Sequence, residues 1–245
     1  MSSKPDSDNI RGLEKTVLTI TSLRRATPST RIVRLSLAGA RFPYFAGQVA
    51  LLGIPSQALR VPYSIASAPI ETRRSGYLEF LLKLESGGWG SPLAGLRRGA
   101  RLAVHGPTGT FVMPKSAAER EYLFVAGGTG IAPVRSMIAQ AILTRQRGRM
   151  HLLYSARTPL EFAYLRELKR FARFGCLELA LTATREVPAR WRGQRGRITA
   201  DLLAPLVRTS ETLCFVCGPA AMVDDVPRML LSLGIDERRI RIEEW

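Results

Sequence analysis

Three groups in this 245-residue chain are spaced so as to do chemistry: a glycine-rich turn, a pair of thiols, and a carboxylate near the end of the sequence. The turn is Gly127-Gly128-Thr129-Gly130, which follows the β-prone run Tyr122–Ala126 and precedes Pro133. After it Val134, Met137, Ile138, Ala141 and Ile142 recur at helical spacing, so one face of the segment is apolar. Strand, glycine turn and helix together aim backbone amides and a helix N-terminus at an anionic phosphate. The spacing is not GxGxxG, and taken alone the loop fits a tight strand-to-helix turn equally well. The thiols are Cys214 and Cys217, at CxxC spacing inside an apolar run. Three apart on a strand they point to opposite faces. A zinc site would want four ligands, and only His105 and His151 could join them, so the sequence predicts no metal centre. The carboxylate is Glu243, two residues before Trp245. A tryptophan there gains by burial, and a hydrophobic plug at a sheet edge would account for it.

The elements that must position these groups change character part-way along the chain. Residues 15–115 read as closely spaced strands: Thr16–Thr21, Arg31–Ala38, Val49–Ile54, Tyr63–Ser67, Tyr77–Leu84 and Arg101–Val104. Glycine and proline punctuate the gaps, and Ser91–Leu96 could hold one short helix. Short strands at this spacing predict an antiparallel barrel or sandwich. Residues 116–245 alternate instead. Strands at Tyr122–Ala126, Met150–Ser155, Leu177–Thr182, Thr212–Cys217 and Arg239–Ile242 are separated by helices at Pro159–Phe174, Ile198–Val207 and Ala220–Leu233. That rhythm predicts a parallel sheet with right-handed crossovers. The boundary falls in the polar stretch Pro114–Glu121, and residues 1–14 read as a disordered tail.

Composition bounds the function. Apolar content of 46% and charged content of 23% are those of a globular protein. No apolar run approaches the roughly 18 residues of a membrane span, and the polar start MSSKPDSDN is not a signal peptide. Three cysteines cannot build a disulfide framework, which points to a reducing cytoplasm. The net charge of +16 favours an acidic partner, a phosphorylated ligand or nucleic acid, with plain solubility as the competing explanation. No aromatic-interleaved basic helix or nucleic-acid motif supports the nucleic-acid version.

Five motifs in order join the two halves: Arg60-Val-Pro-Tyr-Ser-Ile-Ala-Ser-Ala-Pro69, Gly87-Gly-Trp-Gly-Ser91, Gly106-Pro-Thr-Gly-Thr-Phe111, Gly127–Pro133 and Cys217-Gly-Pro-Ala-Ala-Met222. Together they resemble the ferredoxin–NADP reductase superfamily over nearly the whole chain. The resemblance implies a Greek-key antiparallel β-barrel that holds FAD, followed by an α/β nucleotide-binding domain with a parallel sheet. It implies that the strand carrying Tyr63, Ser64, Ile65 and Ser67 lies under the flavin, Tyr63 against the ring and Ser64 near its reducible nitrogen. Gly88 and Ser91 would meet the flavin phosphates. Where the family places an arginine for the pyrophosphate this chain has Val61, so Arg60 would reach round or Lys83 would substitute. Gly128, Thr129, Gly130 and Pro133 would cradle the pyridine-nucleotide pyrophosphate, with Cys217, Gly218 and Pro219 beside the nicotinamide.

By the same resemblance Arg157, Arg185 and Arg197 match the set that binds a 2′-phosphate, a guanidinium fork suiting a dianion. NADP is favoured over NAD on that ground. Glu243 would serve the nicotinamide site, with Trp245 on the flavin ring or its adenine. Ser64, Cys217 and Glu243 are thus the implied catalytic residues. The implied activity is a flavin-dependent NAD(P)H oxidoreductase passing electrons to an acidic carrier such as ferredoxin or flavodoxin. A reductase subunit of a larger oxygenase or redox complex, and a non-catalytic nucleotide-binding module, are the alternatives.

Overall fold

The computed structural model describes residues 14–83, 96–114, 119–185 and 187–244. The first half is built of β1 (Glu14–Arg25), β2 (Thr30–Ser36), β3 (Val49–Gly53), β4 (Val61–Ser64), β5 (Tyr77–Lys83) and β6 (Arg101–Thr108). They pair antiparallel in the order β4-β3-β6-β1-β2-β5. A single bridge between Ile65 and Phe80 draws the two edge strands together, so the sheet nearly closes into a barrel. Leu18, Val33, Leu35, Leu52, Phe80 and Val104 fill its interior. The inward residues alternate along β2, which places Ile32 on the outer face instead.

A helix unforeseen in the sequence, α1 (Pro69–Ser75), follows the β4 segment. Pro69 occupies its first turn, the Glu71 carboxylate accepts from Ala68 N at 2.7 Å, and Gly76 ends it in a left-handed conformation. These are ordinary helix punctuation marks. Seven residues are too few for hydrophobic periodicity to show.

The second half contains β7 (Glu121–Gly127), α2 (Ile131–Leu143), β8 (Arg149–Ala156), α3 (Leu165–Arg173), β9 (Glu178–Ala183), β10 (Gln194–Arg195), α4 (Ala200–Leu203), β11 (Leu213–Gly218), α5 (Ala220–Ser232) and β12 (Ile240–Glu244). All its strand pairs are parallel, in the order β10-β9-β8-β7-β11-β12. Two expected helices are shorter than their sequence pattern. Tyr164 at φ 59° separates a 3-10 turn at Pro159–Glu161 from α3. Residues 204–206, with Pro205, tighten the end of α4 into a second 3-10 turn.

One apolar core runs across both halves. Ile32, Ala46, Ala66, Leu81, Phe111 and Met113 from the barrel side pack with Phe124, Ile131, Met137 and Phe215. Phe215 is fully buried between Phe111, met edge-on at 5.5 Å, and Phe124, stacked at 5.4 Å. The opposite face of the parallel sheet is covered by Val223, Val226 and Leu230 of α5. Truncating Phe215 to alanine should therefore cost about 3–5 kcal/mol, because the rings on both sides cannot collapse into the gap. Phe215→Leu should cost clearly less, since most of the volume stays. Urea unfolding of the two variants measures the difference.

Candidate active site

In an open parallel sheet, ligands bind beyond the carboxyl ends of the strands where the strand order reverses. Here the chain runs outward from β7 through β8, β9 and β10, then returns to place β11 on the other side of β7. The reversal therefore lies between the end of β7 at Gly127 and the end of β11 at Gly218. Gly128–Gly130 forms a 3-10 turn leading straight into α2, whose start no side chain caps. Gly130 admits no side chain, because a Cβ there would lie 2.3 Å from the Cys217 carbonyl oxygen. That close approach presses the turn onto the β11 end, next to Gly218 and Pro219. Tyr154, a residue sequence reading missed, fixes the turn from beneath. Its hydroxyl donates to the Gly128 carbonyl at 3.1 Å and accepts from Ala163 N at 3.2 Å. Pro133 is buried in the first turn of α2.

A cleft opens between this turn and the barrel, lined among the described residues by Tyr63, Ser64, Leu81, Lys83, Thr129 and Ala132. Both halves contribute to it. Tyr63, Leu81 and Ala132 offer apolar surface, Ser64 and Thr129 offer hydroxyls, and Lys83 offers a cation. That donor set fits a flat heteroaromatic ring with a polar edge and a phosphate tail. Burial pushes the Tyr63 phenol up to about 12, so it stays protonated. The residues that follow this strand point elsewhere. Ile65 lies in the barrel core. Ser67 is consumed by the seam between the halves: its carbonyl accepts from Tyr44 at 2.8 Å and Ser136 at 2.7 Å, and its hydroxyl accepts from Glu79 N at 3.0 Å.

Arg60 does not line this cleft. Its Nη1 donates to the carbonyls of Leu59 at 2.9 Å and Ile54 at 3.3 Å and to that of Gln57, which binds the guanidinium to its own loop. The rest of the side chain faces a separate groove with Lys15 and His105. Lys83 is the cation that the described cleft contains. Gly88, Ser91 and Trp245 lie outside the described residues.

The three candidate catalytic residues converge. Glu243 on β12 sits in register beside Cys217 on β11, and Ser64 Oγ donates to Glu243 Oε2 at 3.4 Å across the seam. Cys217 is buried on the sheet face that meets the barrel, whereas Cys214 is buried on the face covered by α5. The CxxC pair is thus split by the strand, as the alternation of a strand requires. Burial raises the Glu243 carboxyl to about 8, only partly opposed by the Ser64 hydrogen bond. At neutral pH it holds a proton that it can exchange.

Three arginines mark the far end of the same edge. Arg185 N donates to the Arg157 carbonyl at 2.9 Å, joining the residues just past β8 and β9. Gly196 N donates to the Ala183 carbonyl at 2.9 Å, which sets Arg197 just past β10. All three side chains are exposed, and among the described residues no ion pair engages them.

Glu243 should leave a signature in stability. Its native value of about 8 lies above the ordinary 4.5, so between those limits the folded state keeps a proton the unfolded chain has released. Stability should therefore fall as pH rises through that window, by at most about 1.4 kcal/mol per pH unit, and level off above it. Glu243→Gln should remove that part of the slope in unfolding curves measured across the window.

Two family models match the chain: the oxidoreductase FAD-binding domain over residues 17–113 and the oxidoreductase NAD-binding domain over residues 124–228. Ferredoxin–NADP reductase B of Sorangium cellulosum is 30% identical over 238 residues, covering 92% of this chain and 96% of that protein. The reductase component of propane 2-monooxygenase from Mycolicibacterium smegmatis is 31% identical over 83% of this chain, which spans 61% of that longer protein. Among solved structures, the ferredoxin NADP⁺ reductase of Neisseria gonorrhoeae with bound FAD and NADP superposes with a TM-score of 0.79 over 94% of this chain and 98% of that one, at 22% identity. With the barrel, the parallel sheet and the cleft between them, these matches make the chain a member of the ferredoxin–NADP reductase-like superfamily of NAD(P)H-dependent flavin oxidoreductases.

Proposed function

We propose that this protein is an FAD-dependent NADPH oxidoreductase that delivers electrons singly through the flavin to an acidic carrier protein of ferredoxin or flavodoxin type in the cytoplasm. The observation that carries the reading is the cleft in which Tyr63 and Ser64 of the barrel face Thr129 of the nucleotide turn. When bound, the flavin supplies the exchange between two-electron and one-electron chemistry. The chain's own residues do the rest. Tyr63 and Leu81 give an apolar bed for a flat ring, and Ser64 offers a hydroxyl to its edge. Lys83, which lines the cleft, would offer its cation to the phosphate tail. Glu243 holds a proton within reach of Ser64 Oγ. Gly128–Gly130 and the start of α2 present amides to a pyrophosphate, and the buried Cys217 shapes the wall beside it.

The coenzyme choice rests on Arg157, Arg185 and Arg197, brought together at the carboxyl ends of β8, β9 and β10. A 2′-phosphate would satisfy guanidinium groups that no carboxylate among the described residues engages. The acidic carrier is supported by the net charge of +16 and by the name of the relative from Sorangium cellulosum. Reductase components of oxygenases among the relatives support a second reading, in which the acceptor is an oxygenase system rather than a free carrier.

The purified protein should bind FAD and release it on denaturation. A protein that takes up neither FAD nor FMN after reconstitution contradicts the reading. Arg185→Ala should raise the Michaelis constant for NADPH by about 10- to 150-fold, the worth of one charge-assisted contact, and leave that for NADH nearly unchanged. An equal effect on both coenzymes would assign the arginine another task. Reduction of an acidic carrier should slow steeply as salt rises, whereas reduction of the flavin by NADPH should barely respond.

A further inference from the structure

The cleft works only if the barrel and the parallel sheet meet at a fixed angle, and one side chain ties the elements that set it. Arg135 lies on α2, five residues past Gly130, with its side chain 7% exposed. Its Nη1 donates to the Ala66 carbonyl at 3.1 Å and to the Glu71 carboxylate. Its Nη2 donates to Glu71 Oε1 at 2.8 Å and Glu167 Oε1 at 2.5 Å, and its Nε to Glu167 Oε2 at 2.8 Å. Its Cζ sits 5.5 Å above the Tyr164 ring. Ala66 and Glu71 belong to the barrel half, Ala66 two residues past Ser64. Glu167 and Tyr164 belong to the parallel-sheet half. Two neighbouring bonds repeat the link: Ser136 Oγ donates to the Ser67 carbonyl at 2.7 Å, and Ile70 N donates to Gln140 Oε1 at 3.0 Å.

Burial alone would push the guanidinium toward its neutral form, but bonds to Glu167 and Glu71 overcome that and hold it charged. A well-packed apolar side chain commonly stabilises as much as a buried ion pair. What the planar fork adds is direction, since its donors leave in fixed orientations that neither lysine nor an apolar group reproduces. Through α2 that direction connects the segment after Ser64 to the turn at Gly128–Gly130.

We propose that Arg135 is a positioning residue that sets the angle between the flavin strand and the nucleotide turn, and thereby the limiting rate of flavin reduction. The proposal rests on the reading of the cleft given above and adds a specific determinant to it. Misplacing reacting groups by about 1 Å can cost on the order of 100-fold in rate, while each half keeps its own ligand contacts.

The test compares Arg135→Met, Arg135→Lys and Glu71→Gln in the full chain. Calorimetry of the flavin-free protein should show a sharp unfolding transition for the native sequence and a broader, less cooperative one for Arg135→Met, in which the shared apolar core still joins the halves. Affinity for 2′,5′-ADP, which probes the parallel-sheet half alone, should stay within about twofold. In the FAD-loaded protein the limiting rate of reduction by saturating NADPH should drop by about tenfold or more, with the Michaelis constant little changed. Arg135→Lys should recover thermal stability better than it recovers rate. If Arg135→Met does not fold, Glu71→Gln, which removes charge but little volume, should show the same split between rate and ADP affinity. An equally sharp transition with an undiminished limiting rate overturns the proposal. So does a rate loss matched by an equal loss of ADP affinity, which would mark a general structural role. Failure of the native protein to bind FAD would sink the functional reading instead, and the calorimetric comparison would still decide whether Arg135 joins the halves.

Discussion

The structure depends on one apolar seam. A parallel sheet exposes its carboxyl edge whatever it packs against, and a barrel can bury its interior unaided. Neither arrangement makes a two-sided cleft. That comes from the outer face of the barrel, with Ile32, Leu81 and Phe111, sharing a core with α2 and the face of β11. Within that shared core Phe111 meets Phe215 of β11 edge-on. Once the two halves are joined, the turn after β7 must face the strand carrying Tyr63 and Ser64, and polar bonds from Arg135 and Ser136 can fix the rotation that apolar packing leaves loose.

The seam also sets the chemistry of Glu243. A carboxyl at the end of an edge strand would ordinarily be solvated and charged. Packed against the barrel, it is raised to about 8 and finds Ser64 Oγ as its partner. Its proton-holding state at neutral pH is therefore a product of docking the two halves rather than of either half alone. The same geometry differentiates the sheet edge. The buried Cys217 and the Glu243 carboxyl lie where β11 and β12 end, and the exposed Arg157, Arg185 and Arg197 lie just past β8, β9 and β10.

The fold was legible where local pattern and tertiary use agree. The run from Tyr122 through Pro133 reads as strand, turn and helix, and it is those things, because the close approach of Gly130 to β11 reinforces what the glycines already favour. The convergence of Ser64, Cys217 and Glu243 was forecast by family resemblance, since no local signal brings residues 179 apart in sequence together. Arg135 was not legible. It is one arginine among many, on a mostly apolar helix, and its carboxylate partners are 64 and 32 residues away. Tyr154 was hidden for the same reason, as a tyrosine in a strand looks structural until its hydroxyl is seen under Gly128. The direction of Arg60 turned on the path of its loop, which alternation along a strand cannot supply.

The central claim is that the two halves hold a flavin and a nicotinamide so that electrons pass from one to the other. Anaerobic addition of NADPH to the FAD-loaded protein, followed by visible absorbance, tests it most directly. The account predicts rapid, stoichiometric bleaching of the flavin, slowed by Ser64→Ala without loss of FAD. A protein that binds both FAD and NADPH yet leaves the flavin oxidised would contradict it.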